Sequence, residues 1–569
     1  MDILDVLGGF GTYHALMVFL VVLRAFPTAW TNMMTPIIAP DMDHWCARPE
    51  DVPVSVANMS SDEWKSWAVP RVDQGFDRCH MYRVYEASNG SWAVDRNQTL
   101  RCDRWEYDTS VYESTIVNEW DLVCGRGYHR SVTQSVVMAG ALVGVLLFGE
   151  MSDRLGRRPT FFTCVLIITT FGSLSSLAPA IGWYNAGRFV VSMGVAGCQA
   201  TTVSLLMEIM PPQYRMMMNV GFGIGYTIPL LLLPLLAYHI RDWSYLQLTT
   251  GLSGLLMMPF WFYLQESPRW LLTKDRIESA ERSLVRILRI NRRPVPDMDQ
   301  IMSDLALFAK SESTKNATFH FVDFFRTPKM RRNTLVLFAI WFMGSFVYYN
   351  LVLSSTSAPG NPYMNYAISS AGEIPAALLG LWIARRWSRR RSQAFFLLLA
   401  AFALAPLPFL PKDSPSWVKI GSNVLVRFLV LNAGFIKWIM ALEVFPTSAR
   451  SFGFACVLTC SRCGAMVAPF LRDLKEITQD TKAAGGVQAD KYRCVNTAKG
   501  AVPTSALRGI IVRGDDYVSH CHHNRLWQCR VENKVYPRCA TQLPLKVSYI
   551  LKKPLRKKWN VNACDEYAA

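Results

Sequence analysis

Long apolar runs, separated by short polar turns, fill most of the chain between residues 10 and 471. A helix needs about 20 consecutive apolar residues to cross a bilayer, and eleven runs approach that length. The sequence therefore predicts an all-α polytopic membrane protein. The predicted spans are residues 10–39, 131–148, 161–181, 188–208, 220–239, 248–264, 335–353, 366–383, 394–410, 420–442 and 452–471.

Three landmarks recur at nearly the same separation and indicate two similar halves. Gly149 and Gly380 open arginine-rich turns 231 residues apart, and Arg188 and Arg427 precede similar apolar runs 239 residues apart. A third pair, Glu208 and Glu443, lies 235 residues apart, and each glutamate has a proline three residues later and an arginine seven later. Parallel repeats of six spans are typical of a large class of transporters.

The C-terminal end departs from that pattern. A twelfth span is expected after residue 475, but residues 476–569 contain no apolar run of sufficient length and are rich in Lys and Arg. We therefore expect two six-helix bundles with the last helix missing or replaced, followed by a divergent basic tail. His and Cys residues occur in this tail, but no metal site and no cofactor are expected.

Charge and hydropathy divide the chain into six segments. The net charge of +17 is concentrated in predicted cytoplasmic turns and the tail, which does not indicate nucleic-acid binding. Residues 41–130 instead carry sixteen acidic and ten basic residues. The predicted segments are the N-terminus with span 1 (1–40), an extracellular loop (41–130), spans 2–6 (131–265), a cytoplasmic linker (266–332), spans 7–11 (333–475) and the tail (476–569).

The polar loop has features of an extracellular segment. Four cysteines, Cys46, Cys79, Cys102 and Cys124, predict two disulfides, and the sequence leaves three pairings open. The loop also contains three N-glycosylation sequons, at Asn58, Asn89 and Asn97.

Four motifs together resemble those of the organic-ion solute carriers of the major facilitator superfamily. They are GEMSDRLGRRP (149–159), NEWDLVC (118–124), ESPRWLL (266–272) and EVFPTSAR (443–450). The resemblance implies a twelve-span fold with alternating access around a central cavity. It also implies a plasma-membrane carrier of organic cations, anions or carnitine-like zwitterions, and not an enzyme.

Aromatic and charged residues inside spans are the candidate substrate site. Trp341, Tyr348 and Tyr349 of span 7 can form an aromatic wall, and the paired tyrosines are similar to those of the family. Arg24 of span 1 is expected to face a cavity, because a charge at mid-membrane depth is costly; the alternatives are snorkelling and pairing with another helix.

The sign of the substrate should follow the charges of spans 8, 10 and 11. Glu373 lies where cation and zwitterion carriers have an acid, whereas Arg462 lies where anion and carnitine-type carriers have an arginine. Lys437 adds a positive charge that is unfamiliar in the family, and Ala377 replaces a lysine of anion carriers. These charges can receive a zwitterion, can neutralise one another, or can bind an anion through Arg462 and Lys437 with Glu373 as counter-ion.

Charged turns at the cytoplasmic ends are candidate gating elements. Ion pairs between arginines of the turns and acids at span ends can form and break as the halves move; the alternative is solvated loop charge. The candidates are Asp153, Arg154, Arg157, Arg158, Glu208, Arg215, Glu266, Arg269, Glu443 and Arg450.

The sequence thus predicts transport of small organic ions, with organic cations or carnitine-like zwitterions preferred and organic anions second. An inactive, truncated membrane protein is the alternative from another class. The expected partners are the substrate, the lipid bilayer and a coupling ion, either sodium or a proton, with no nucleic acid.

Overall fold

The computed structural model describes residues 6–49, 54–72, 75–86, 92–211, 214–298, 301–305, 321–357, 359–407, 411, 414–445, 450–474, 493–495, 528–531 and 534–536. Within these ranges the side chains of a few residues, Arg215 and Arg450 among them, lie outside the described part. Two compact units are distinguished, residues 1–473 and 474–569.

The chain begins with helix α1 (Thr12–Met33), which contains Pro27, and the short α2 (Thr35–Ile38). The polar loop that follows contains short helices and three antiparallel strand pairs, β1 with β6, β2 with β3, and β4 with β5. Its elements are β1 (His44–Cys46), α3 (Val54–Ala57), α4 (Ser61–Ala68), β2 (Arg71–Val72), β3 (Gly75–Phe76), β4 (His80–Glu86), β5 (Trp92–Arg101), β6 (Trp105–Tyr107) and α5 (Ile116–Glu119). Trp45, Trp64 and Ala68 form the small core of the loop.

The rest of the first half is helical. It comprises α6 (Tyr128–Leu155), α7 (Arg157–Leu174), α8 (Ile181–Ile209), α9 (Arg215–His239) and α10 (Trp243–Leu252), which continues into a 3₁₀ segment, Ser253–Trp261. Gly144 lets α6 approach α8 closely, because a Cβ there would lie 2.3 Å from the Met193 carbonyl oxygen. Small residues at such contacts are typical of helix packing in membranes.

The linker contains α11 (Pro268–Thr273), α12 (Ile277–Ile290) and α13 (Asp323–Arg326). The second half follows with α14 (Pro328–Ser354), α15 (Pro362–Ala371), α16 (Glu373–Arg386), α17 (Arg389–Leu404), α18 (Ser416–Val444) and α19 (Arg450–Val467). α15 and α16 meet at Gly372, which itself has helical dihedral angles, so the predicted eighth span is a helix interrupted at one residue.

Seven helices of the described residues are long and apolar enough to cross a membrane, namely Thr12–Met33, Cys124–Leu155, Arg157–Leu177, Ile181–Ile209, Pro328–Ser354, Ser416–Ala441 and Phe452–Leu474. The other four predicted spans coincide with α9, with α10 and its 3₁₀ extension, with α15 and α16, and with α17. The all-α membrane class is confirmed.

In the second unit the described residues form an antiparallel sheet of β7 (Arg493–Val495), β8 (Gln528–Val531) and β9 (Lys534–Tyr536), in the order β7-β8-β9. The remainder of the predicted basic tail lies outside the described residues.

Candidate substrate site and charged clusters

Glu373 is the centre of a buried hydrogen-bonded network in the second half. Both the Nε atom of Arg427, at 3.1 Å, and its Nη2 atom donate to the Glu373 carboxylate. Both bonds are to the Oε1 atom of Glu373, and the Tyr348 hydroxyl donates to this same oxygen at 3.0 Å. Arg427 also donates to the Ser369 hydroxyl at 3.0 Å. Glu373 is 5% exposed and Arg427 1% exposed, so this acid is already neutralised by a protein cation.

The helix elements explain why these groups meet. Glu373 is the first residue of α16, and α16 packs against α18, which carries Arg427. The guanidinium also lies 5.5 Å from the centre of the Tyr348 ring, a cation–π distance. Arg427 was noted from the sequence only as a repeat landmark. An arginine inside an apolar span needs a partner, and that rule could have identified it as a member of the site.

Arg188 of α8 is the first-half counterpart of Arg427, and it is bound differently. Its Nη2 atom donates to the backbone carbonyl of Thr31 at 2.7 Å, and its guanidinium lies 6.0 Å from the Tyr184 ring centre. Its Nε atom is buried without a hydrogen-bond partner in the part of the chain that the structure describes. Arg188 is therefore a buried cation held by a backbone dipole and an aromatic ring.

Arg462 of α19 is half-buried at the contact between the two halves. Its Nη1 atom lies 3.9 Å from the sulfur of Met138 on α6, and Tyr349 is a close neighbour. The Tyr348 and Tyr349 rings are nearly perpendicular, with centres 5.6 Å apart. No acid bonds to Arg462 among the residues for which the structure gives side chains. An aromatic pair therefore lies beside a cation with unused donors.

Lys437 of α18 has an aromatic environment. Its Nζ atom lies 4.7 Å from the Trp341 ring centre, and the side chain is 9% exposed. Trp438 and Phe454 pack on the same indole. Within the described residues the ammonium has no acidic partner, so the aromatic face compensates only part of its charge.

Arg24 lies on α1 and is buried. Its Nη1 atom lies 3.5 Å from the Thr28 hydroxyl, which itself donates to the Arg24 carbonyl.

The structure thus brings Tyr348, Tyr349 and Glu373 together with Arg427, and Tyr349 with Arg462. Lys437 pairs with Trp341 in a separate aromatic cluster.

Glu266 organises the predicted gating residues of the first half. Its two carboxylate oxygens accept the backbone N–H groups of Arg157, at 2.9 Å, and Arg158, at 3.1 Å. These are unsatisfied donors of the first turn of α7, so Glu266 caps that helix and complements its dipole. Gly156 permits the approach, since its φ is +112° and a Cβ there would lie 2.4 Å from the carboxylate.

Arg157 connects this cap to α8. Its Nη2 atom bonds to Glu208 at 2.8 Å and to Asp153 at 3.1 Å, and Nη1 donates to the Ser152 carbonyl. Arg154 pairs with Glu150, one turn earlier in α6 and exposed. These contacts join elements of the first half only. Arg269 lies in α11, half-buried.

The second half has a simpler counterpart. Arg389 at the start of α17 donates to Glu443 at 3.4 Å, and both side chains are substantially exposed. Arg215 begins α9 and Arg450 begins α19, but their side chains lie outside the described part. The gating role of all these residues stays a prediction.

A third cluster, which sequence reasoning did not identify, joins the two halves at their outer ends. Asp41, just after α2, contacts Arg472 at 3.2 Å, Arg130 at 3.5 Å and Arg78 at 3.9 Å. Burial raises the pKa of the Asp41 carboxyl, but the three arginines outweigh it and hold the pKa below its usual value.

Hydrogen bonds near this cluster also join the halves. The Ser131 hydroxyl donates to Asp473 at 2.8 Å, and Tyr366 donates to the Met33 carbonyl at 3.1 Å. The two halves are therefore in direct contact at their outer ends.

The polar loop contains two disulfides, Cys46–Cys102 and Cys79–Cys124, which is one of the three pairings that the sequence left open. Asn58 and Asn97 are exposed, as a glycosylation acceptor must be, and Asn89 lies outside the described residues. Glycosylation at these positions stays a prediction.

Comparison with known proteins identifies the fold. The chain is similar to the proton:xylose symporter XylE bound to 6-bromo-6-deoxy-D-glucose, with a TM-score of 0.54, 14% identity, and coverage of 82% of this chain and 90% of that chain. Inward-open XylE from E. coli gives a TM-score of 0.51. The expected major facilitator fold is confirmed.

Sequence comparison identifies the family. The profile "Sugar (and other) transporter" matches residues 101–476. An organic cation transporter protein of Drosophila melanogaster is 31% identical over 84% of this chain and 87% of its own length. Solute carrier family 22 member 13 of Homo sapiens is 31% identical over 83% of this chain and 85% of its own length. Organic anion transporter 3 of Oryctolagus cuniculus is 30% identical over 84% of this chain and 86% of its own length. The chain therefore belongs to the sugar (and other) transporter family of the major facilitator superfamily, among the solute carrier 22 transporters.

Proposed function

We propose that this protein carries small organic anions across the plasma membrane by alternating access, and that Arg462 receives the anionic group. One observation carries the proposal. Glu373, the only acid predicted for the substrate site, is paired with Arg427 and accepts the Tyr348 hydroxyl at the same oxygen, Oε1, whereas Arg462 and Lys437 have no acidic partner in the described part of the chain. An organic anion supplies the charge that these cations lack.

The preference differs in order from the sequence prediction, which put organic cations and zwitterions first. A cation would have to compete with Arg427 for Glu373, and removing Arg427 from its partner deep in the protein is costly. The relatives do not decide the sign, since their names include both a cation transporter and an anion transporter. The charge balance of this chain therefore supports the choice.

A carnitine-like zwitterion is the second candidate, and the position of Tyr349 favours it. The Tyr349 hydroxyl lies next to Arg462, and the Tyr349 ring is nearly perpendicular to that of Tyr348. A carboxylate on Arg462 would leave a quaternary ammonium within reach of these aromatic faces, which attract cations. Zwitterion transport needs the same arginine, so both candidates share one test.

The cellular location and the coupling ion are further parts of the proposal. The disulfide-bonded, acidic loop with exposed Asn58 and Asn97 suits the outer surface of a cell. Sodium and protons are both suitable coupling ions. Uptake with sodium replaced by N-methylglucamine, and at outer pH 6.0 and 7.4, separates them.

The decisive experiment is an uptake panel in cells expressing the full chain. The probes are a labelled aromatic carboxylate, labelled carnitine and labelled tetraethylammonium. We expect uptake of the carboxylate, and a fall of about ten- to a hundredfold in R462Q, since a charge-assisted hydrogen bond is lost. R96Q, which neutralises an exposed loop arginine, is the matched control and should transport normally.

Charge reversal sharpens this test. R462D should gain uptake of tetraethylammonium relative to the carboxylate, because it places an acid beside the tyrosine pair. Unchanged selectivity in R462D would remove Arg462 as the selector. A wild-type chain labelled at the cell surface that moves none of the three probes would support the inactive alternative.

A further inference from the structure

Three consecutive aromatic side chains are exposed where the sixth span reaches the predicted inner face. Trp261 ends the 3₁₀ segment and is 51% exposed, and Phe262 and Tyr263 are 71% and 51% exposed. Aromatic residues at a span end are typical of the headgroup level of a bilayer, where a ring is apolar at its face and polar at its edge.

Two arginines from different elements converge on the backbone of this triplet. Arg158, in the first turn of α7, donates to the Trp261 carbonyl at 2.8 Å, and its guanidinium lies 5.1 Å from the indole centre. Arg286 of α12 donates to the Phe262 carbonyl at 3.0 Å. These bonds use one donor group of each guanidinium, which has five N–H donors in total.

Helix α12 adds a row of positive charge beside the triplet. It buries Leu284, Ile287 and Leu288 in the first-half core, and its Ser283 hydroxyl donates to the Glu266 carbonyl at 2.6 Å. The helix is thereby fixed next to the end of the sixth span. Its exposed face carries Arg282, Arg286 and Arg289 at positions i, i+4 and i+7.

Within helix α12, no acid lies three or four residues from Arg289. Both acids of the helix, Glu278 and Glu281, lie before Arg282. The residues three and four positions from Arg289 are Arg286, Val285, Arg292 and Arg293. Like charges at this spacing repel one another, so an anion bound across the row would relieve the repulsion.

We propose that this surface, formed by Arg158, Trp261, Phe262, Tyr263, Arg282, Arg286 and Arg289, binds the headgroup of an anionic phospholipid of the cytoplasmic leaflet. The guanidinium groups bind the phosphate oxygens, and the three aromatic rings lie among the upper acyl chains. Arginine is suited to phosphate because its donors are planar and can bond in pairs. Clusters of basic residues at the membrane surface attract anionic lipids, and the aromatic triplet sets the depth.

The test uses the purified full chain in detergent, titrated with three dioctanoyl lipids. They are phosphatidylinositol 4,5-bisphosphate, phosphatidylserine and phosphatidylcholine, and binding is followed by native mass spectrometry. We expect the two anionic lipids to bind and phosphatidylcholine not to. R282Q/R286Q/R289Q should bind the anionic lipids about a hundredfold more weakly. Binding of phosphatidylcholine equal to that of the anionic lipids would overturn the proposal.

A second triple variant tests whether the surface is specific. R386Q/R390Q/R391Q removes the same charge from exposed arginines at the inner ends of α16 and α17. It should retain binding. An equal loss in both triple variants would mean a diffuse attraction to the inner face and would overturn the proposed site. Melting curves without lipid confirm that each variant is folded.

The aromatic contribution separates a membrane lipid from a free phosphate. F262S keeps every charge and alters a largely exposed ring. It should weaken binding of the dioctanoyl lipids several-fold and leave binding of soluble inositol trisphosphate unchanged. If inositol trisphosphate binds the wild type as tightly as the lipid does, and F262S changes neither, the ligand is a soluble phosphate and the lipid proposal fails.

Discussion

The two halves carry an arginine at the same place in the repeat and bind it in different ways. Arg427 has an acidic partner, Glu373, whereas Arg188 has a backbone carbonyl and an aromatic ring. The acid thus belongs to one half only. Both halves therefore bury an arginine at this place, but only Arg427, in the second half, is neutralised by an acid in the described residues. This asymmetry matters for the proposed function, because the acid of the second half is already paired with Arg427 and does not bond to Arg462 in the described part of the chain.

The same substitution at the two arginines gives the largest expected difference. R427M leaves Glu373 as a buried, unpaired charge, and such a break costs about 3–5 kcal/mol. R188M removes a buried cation together with one hydrogen bond, and these effects offset each other to within about 1 kcal/mol. Unfolding free energies of both variants in mixed SDS micelles measure the contrast. Equal losses of unfolding free energy in R427M and R188M would show that the acidic partner of Arg427 makes no difference to stability.

Removing both members of the pair should restore much of the lost stability. In R427M/E373L no charge is left buried, and apolar replacements of buried ion pairs are often neutral or stabilising. The double variant should therefore be more stable than R427M by about 2 kcal/mol or more. The same SDS titration, with E373L alone completing the cycle, provides the coupling energy. A double variant as unstable as R427M would show that the pair is held by packing rather than by charge.

The sequence predicted the helices well because apolar runs of this length are typical of membrane-spanning helices and of few other structures. It also predicted that the charged turn would pair with acids at span ends such as Glu208 and Glu266, since both the turn and Glu208 have counterparts in the second half. It could not match Glu373 with Arg427, which are 54 residues apart and meet only through the packing of α16 on α18. The disulfide pairing was open for a similar reason. It depends on how the strands of the loop fold back, which spacing between cysteines does not fix.

The inner clusters of the halves offer a second matched pair. E266Q weakens a charged cap on two backbone donors of α7, and we expect a loss of about 1–2 kcal/mol. E443Q removes an ion pair whose members are both substantially exposed, and the expected loss is below about 0.5 kcal/mol. Melting temperatures of the two variants measured side by side provide the comparison. A larger effect in E443Q would mean that the second-half pair has the greater structural role.

The smallest expected effect concerns the outer cluster around Asp41, which joins the halves. It is a change of melting temperature with pH, and Asp41 itself should not cause it. The pKa of Asp41 is already lowered by Arg472, Arg130 and Arg78 against the effect of burial. Its stabilising contribution is therefore complete above its usual value of about 4 and is lost only at still lower pH. Between pH 7.5 and 5.5 the carboxylate stays charged, so its contacts should not change.

His44 behaves differently in the same window. Burial, aided by Arg78, lowers the pKa of its ring despite the Met42 carbonyl and Asp41 nearby. The unfolded chain takes up a proton as the pH falls through about 6.5, and the folded chain resists it, so acidification costs stability. We expect the melting temperature to fall between pH 7.5 and 5.5, less so in H44Q. D41N should melt lower at both pH values and with a slope at least as steep as that of the wild type, because the Asp41 charge opposes the lowering of the His44 pKa. A D41N variant without pH dependence would assign the titration to Asp41 instead.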